Sequence, residues 1–136
     1  MAHPPKGRFV DRAKHRVFLR RAQELIQAMD AAIEKGHRMA AGIAGVHAAI
    51  ACGDAVTVAF MGQRSGSESH AESARLLARS GATGATDHAQ QLGKVVALKT
   101  PLEYDDREPT LREVRDLVER VHRLHRWAKE LQRNEP

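Results

Sequence analysis

The sequence predicts an all-α domain, an antiparallel bundle of four or five helices, and three observations carry that prediction. Aromatic residues make up 4% of the chain against 42% hydrophobic residues overall, so the core has to be built mainly from Ala, Leu, Val and Ile. That mix suits closely approaching helices and argues against a sandwich or barrel, whose strands favour aromatic and β-branched residues. In the first and last long segments apolar residues recur at spacings of three and four, as they do on one buried helix face. No glycine-bounded strand candidate and no repeat of solenoid length is visible. At 136 residues with 29% charged, the chain is one globular domain, long enough to bury a core without disulfides or metal.

Residues 1–10, with Pro4, Pro5 and Gly7, read as a flexible arm, and the single domain runs over 11–133. A first helix is expected from Asp11 to Lys35. Phe18, Ala22, Leu25, Ile26, Met29, Ala32 and Ile33 form its stripe, and Gly36 is its stop. The second, from His37 to Met61, reads HRMAAGIAGVHAAIACGDAVTVAFM and is nearly continuous in apolar or small residues. Its composition suggests a membrane span, but His47, Asp54 and three glycines inside it fit a central helix buried on most sides of a bundle. The glycines admit neighbours closely, at roughly 1 kcal/mol each in helix propensity. Neighbouring helices alone leave so apolar a segment short of cover, so the expectation is a homodimer through this Gly/Ala-rich helix, with no membrane. His47 and Asp54, on one face two turns apart, are expected to form a buried polar cluster.

After the polar loop GQRSGSES, Ser69 and Glu72 make a capping box that opens a third helix, ended by Gly81. A fourth helix is expected over residues 87–99 with Leu92, Val95, Val96 and Leu98 inward, stopped by Pro101. The stretch TPLEYDDREP reads as an irregular loop. Thr110 and Glu113 form a second capping box, and the last helix, from Leu111 to about Arg133, turns Val114, Leu117, Val118, Val121, Leu124, Ala128 and Leu131 inward.

The chemistry-bearing residues are few. Cys52 is the only cysteine, which excludes an intrachain disulfide and a cysteine zinc site and points to a reducing, cytoplasmic setting. Its apolar surroundings make it a structural thiol. One Glu-x-x-His (Glu119 and His122) has no second copy, so no di-metal bundle is expected, and no phosphate loop is present. No metal and no cofactor is called for. The net charge of +5 and pI of about 9.9 permit phosphate-rich partners. The most suggestive site is QRSGSESH. There Arg64 can hold a phosphate through its fork of donors, and His70, in the first turn of a helix, can move a proton. Ser65, Ser67 and Ser69 can add hydrogen bonds or serve as loop and cap residues.

This layout resembles the HEPN superfamily. It has a long first helix, an alanine-rich second helix, a polar loop with a histidine opening the third, and a final amphipathic helix after an L-x-x-x-x-Y-D loop. The matching segments are AGIAGVHAAIACGDAVTVAFMGQRSGSESH and LKTPLEYDDREPTLREVRDLVERVHRLHRWAKEL, within residues 15–131. The resemblance implies a helical bundle, often dimeric. In many members a metal-independent ribonuclease site carries an Arg, four to six residues, then a His, and some belong to toxin–antitoxin or defence systems. Arg64 and His70 meet that spacing, as do Arg8/His15, Arg115/His122 and Arg120/His125, but only the first pair sits in a loop entering a helix. In many nuclease members the motif lies just before the final helix, where this chain has ALKTPLEYDD and no histidine. The likeness therefore leans to the non-catalytic branch, which accompanies nucleotidyltransferases or binds nucleotides. On that reading Lys99 and Tyr104 join the serines as candidate binding residues, with RNA, a nucleotide or a nucleotidyltransferase-type protein as partner.

Overall fold

In the computed structural model of the chain, residues 7–66, 71–104 and 106–133 are described. Helix α1 (His15–Glu34) buries Phe18, Ala22, Ile26 and Met29, the positions its spacing singled out. Asp11 caps a 3-10 turn over Arg12–Lys14, its carboxylate accepting the Ala13 N–H at 3.0 Å, so regular helix starts four residues later than expected. At the other end Gly36 takes φ +75°, the His37 N–H donates to Ala32 O and the Gly36 N–H to Ile33 O. This is the Schellman closure that glycine makes possible.

Helix α2 (Arg38–Met61) follows at once and forms the centre of the bundle, packed on by α1 and by every later helix. Those are α3 (Ala71–Ala78), α4 (Ala85–Val96), α5 (Lys99–Tyr104) and α6 (Leu111–Arg133). From Ala41 to Ala59 its residues are buried except half-buried Ile43 and Ala44 and exposed His47. By length and composition α2 could cross a membrane, yet 78% of its most apolar window is covered inside the bundle. For these residues the cover that the sequence left to a second copy comes from the chain's own helices. The glycines explain how. A Cβ on Gly45 would lie 2.3 Å from a Leu117 methyl and 3.0 Å from the Met29 sulfur, and one on Gly42 would lie 2.9 Å from Leu102. Leucine methyls fill the space that the missing side chains leave.

The capping box of α6 forms as expected: the Thr110 N–H donates to Glu113 Oε1 at 2.9 Å, and the Glu113 N–H to Thr110 Oγ1 at 3.1 Å. The α6 stripe buries Val114, Leu117, Val121, Leu124 and Ala128, while Val118 and Leu131 are half-buried. Ser69 of the other capping box lies outside the described residues.

Three expectations need correction. Pro101 does not end a helix; it sits in the first turn of the short α5, where an N–H has no helical partner to lose, and α4 stops before it at Val96. The arm expected over 1–10 and the polar loop after α2 each contain a short strand. β1 (Gly7–Phe9) pairs antiparallel with β2 (Gln63–Ser65), with Gly7 opposite Ser65, Arg8 opposite Arg64 and Phe9 opposite Gln63. The cause is tertiary. Gly62 at φ +65° ends α2 and turns the chain back. The Arg12 guanidinium donates to the last-turn carbonyls of Ala59 (2.9 Å) and Phe60 (2.7 Å), docking the entry of α1 on the exit of α2 and laying the two segments side by side. Three residues are too few for an alternating pattern to show.

Candidate functional site

Asp54 is the one buried carboxylate among the described residues, 4% exposed in the last third of α2. Its Oδ1 accepts both the Ser65 N–H and the Ser65 hydroxyl, each at 2.9 Å, so it fastens β2 to α2. Burial pushes its carboxyl above the ordinary aspartate range. The two Ser65 bonds and the nearby guanidiniums of Arg64 and Arg21 pull it partly back.

Those two arginines share an aromatic support. The Arg21 guanidinium carbon stands 5.1 Å and that of Arg64 5.4 Å from the ring centroid of Phe18, which is itself buried. The ring face attracts both cations and fixes where they stand. Arg64 is half-buried, and its Nε is enclosed without a hydrogen-bond partner among the described residues. An enclosed donor of this kind costs free energy until something accepts from it.

Arg21 and Arg64 open onto a cleft of about 520 Å³ between α1, α2 and β2. Glu24 and Leu25 line it from α1, His47, Ile50, Ala51 and Asp54 from α2, and Ser65 from β2. The floor is apolar and the rim carries cations, a histidine and a carboxylate. Such a site can hold an anion by forked donors and has an imidazole and a carboxylate able to carry protons.

Of the candidates from sequence, Arg64 and Ser65 stand in this cleft and Asp54 is buried beside it. His47 corrects the expectation of a buried pair: it is exposed, because two turns before Asp54 the ribbon no longer covers α2 and the helix opens to the cleft. Ser67, Ser69 and His70 lie outside the described residues. Lys99 and Tyr104 are elsewhere, on α5, where Lys99 pairs with Glu103 at 3.0 Å and Tyr104 is 74% exposed. Two other residues of the Arg–His spacing rule are engaged far from the cleft: His122 with Asp30 of α1 at 3.0 Å, Arg120 with Asp116 at 2.9 Å. Among the described residues no three His, Cys, Asp or Glu side chains gather as metal ligands.

The sequence reading missed Arg21 and Glu24. Their only signal was position: Phe18, Arg21 and Leu25 fall on one side of α1 at helical spacing. Which side chain they would meet from 43 residues further on, at Arg64, depended on the ribbon. No protein-family model matches the chain, and neither does any curated protein or solved structure.

Proposed function

We propose that this protein is a binding module for a phosphate-bearing ligand, RNA or a nucleotide, held in the cleft between α1, α2 and β2. The observation that carries the reading is the pair of guanidiniums, Arg21 and Arg64, set on one aromatic ring at the mouth of a half-enclosed cleft, neither of them in an ion pair among the described residues. The local acid, Asp54, has its acceptor oxygen occupied by Ser65 instead. The resemblance to HEPN domains, many of which act on RNA or accompany nucleotide-handling proteins, points the same way. Charge placement adds to it. Residues 7–21 hold six Arg or Lys against one Asp, a surplus equal to the net +5 of the whole chain. The basic excess is gathered at this end of the molecule and not spread over the bundle.

The test is direct binding of a short single-stranded RNA and of nucleoside monophosphates at several salt concentrations. Binding should weaken as salt rises, and Arg21→Ala and Arg64→Ala should each weaken it about 10- to 100-fold, the range for losing one charge-assisted contact. Unchanged affinity in both variants, with the fold intact by circular dichroism, sinks the reading.

A second reading, a metal-independent ribonuclease, is favoured by one observation: His47 shares the cleft with both arginines, so a proton carrier and cations for charge on phosphorus stand together. It predicts RNA cleavage that persists in EDTA and disappears in His47→Ala or His70→Ala. Absence of cleavage across pH and salt removes it and leaves the binding module.

A further inference from the structure

The geometry points to a more specific ligand: the cleft takes a terminal phosphomonoester, with Arg8 of β1 as the third contact to its oxygens. This rests on the phosphate-binding reading above and adds to it both a residue and a choice between two kinds of phosphate.

Three observations carry it. Arg8 and Arg64 are directly opposed in the β1–β2 ribbon, so their side chains leave the same face. Like charges opposite one another in a two-stranded ribbon are unfavourable unless something negative lies between them. The Arg8 stem is also held in place: it runs over Gly66 so closely that a Cβ there would lie 2.6 Å from Arg8 Cγ. A glycine at the end of β2 thus leaves a channel along which Arg8 is guided. Finally, among the described residues none of Arg8, Arg21 and Arg64 makes an ion pair, and the enclosed Nε of Arg64 has no acceptor.

Three guanidiniums offer three planar forks. An internal phosphodiester presents two free oxygens and one negative charge. A phosphomonoester presents three strong acceptor oxygens and about −1.5 to −2 charges at pH 7, its second proton leaving near pH 6. Three forks on three oxygens use every acceptor, whereas a diester leaves one fork idle. The cleft beyond the arginines, floored by Leu25, Ile50 and Ala51, leaves room for the group that carries the phosphate.

The experiment compares the full-length protein with fluorescent forms of one short oligoribonucleotide that differ only in bearing a 5′-phosphate, a 3′-phosphate or neither, by anisotropy at fixed salt. The expected result is at least tenfold tighter binding with one of the terminal phosphates. Arg8→Ala should bring that preference close to one while moving the affinity for the unphosphorylated RNA by less than about threefold. Arg8→Lys, which keeps the charge but not the fork, should fall between. Equal affinity for all three RNAs in the unmodified protein overturns the proposal and leaves the phosphate-binding reading standing. Equal weakening of all three RNAs by Arg8→Ala overturns it too, because Arg8 would then be a general charge and not a terminal-phosphate contact. Failure of every RNA to bind refutes both. Circular dichroism and urea unfolding of each variant identify any loss that comes from the fold.

Discussion

Replacing Asp54 tests how the cleft is held together. In Asp54→Ala the Ser65 amide and hydroxyl lose their acceptor, two bonds of 2.9 Å each. Hydrogen bonds to a charged group contribute about 1.5–3 kcal/mol each. Two effects reduce the sum. Ser65 is only half-buried, so water reaches its freed donors, and the substitution removes a buried carboxylate whose desolvation is unfavourable. The net loss expected is about 1–2 kcal/mol, or roughly 3–6 °C in Tm for a domain of this size. Asp54→Asn keeps an acceptor oxygen and discards the charge, so it should stay within about 0.5–1 kcal/mol of the parent near pH 7. The two variants also separate by pH. Burial raises the folded-state pKa of Asp54 above its unfolded value of 3.8, so between those two values the folded protein holds a proton that the unfolded chain has lost. Stability therefore falls as pH rises through that window and recovers as pH falls. The parent should lose stability relative to Asp54→Asn on going from pH 4 to pH 7. Urea unfolding at a series of pH values measures both effects. An alanine variant as stable as the parent at pH 7, or a parent that gains on the asparagine variant as pH rises, would refute the account of Asp54 as the clasp between α2 and the ribbon.

Other consequences are simpler to check. Gly45→Ala drives a methyl to within 2.3 Å of Leu117, and the overpacking should cost about 1–3 kcal/mol in denaturant unfolding, where a stabilised or neutral variant would contradict the packing of α2 on α6. Cys52 is 1% exposed and burial pushes its thiol up to about 12, so it should resist a thiol reagent at pH 8 until the protein is unfolded and then react fully. Glu113 is held down to about 2, first by the Arg107 guanidinium and then by Thr110. Its contribution to stability is complete above its ordinary value of 4.5 and disappears as pH falls toward 2. Side-chain NMR should place its titration there, and Arg107→Ala should move it back toward the ordinary glutamate range.

Much of the bundle was already written in local patterns. The stripe from Phe18 to Met29, the Gly36 stop, the Thr110–Glu113 box and the stripe from Val114 to Ala128 all depend on contacts within a turn or two, or on a burial preference set by spacing alone. A chain of neighbouring residues carries that information whatever it later packs against. Burial of the second helix followed from composition for the same reason, since a segment so apolar has to be covered by something.

What covers it was not local. The methyls of Leu117, Leu102 and Leu92 reach the glycines of α2 from 39 to 72 residues away in the chain, and only their arrival shows that the bundle fills those gaps by itself. The ribbon was likewise invisible, because three-residue strands have no period to read and are held by Arg12 reaching the end of a helix 47 residues on. The cleft inherits that dependence. Sequence identified Arg64, Ser65 and Asp54 one by one, each for its own chemistry. It placed His47 inside because a helical face shared with Asp54 says nothing about where the cover ends. Pairing Arg21 with Arg64 over Phe18, and setting Arg8 across from Arg64, required the ribbon to form first, since distances between side chains on different elements exist only after those elements have packed.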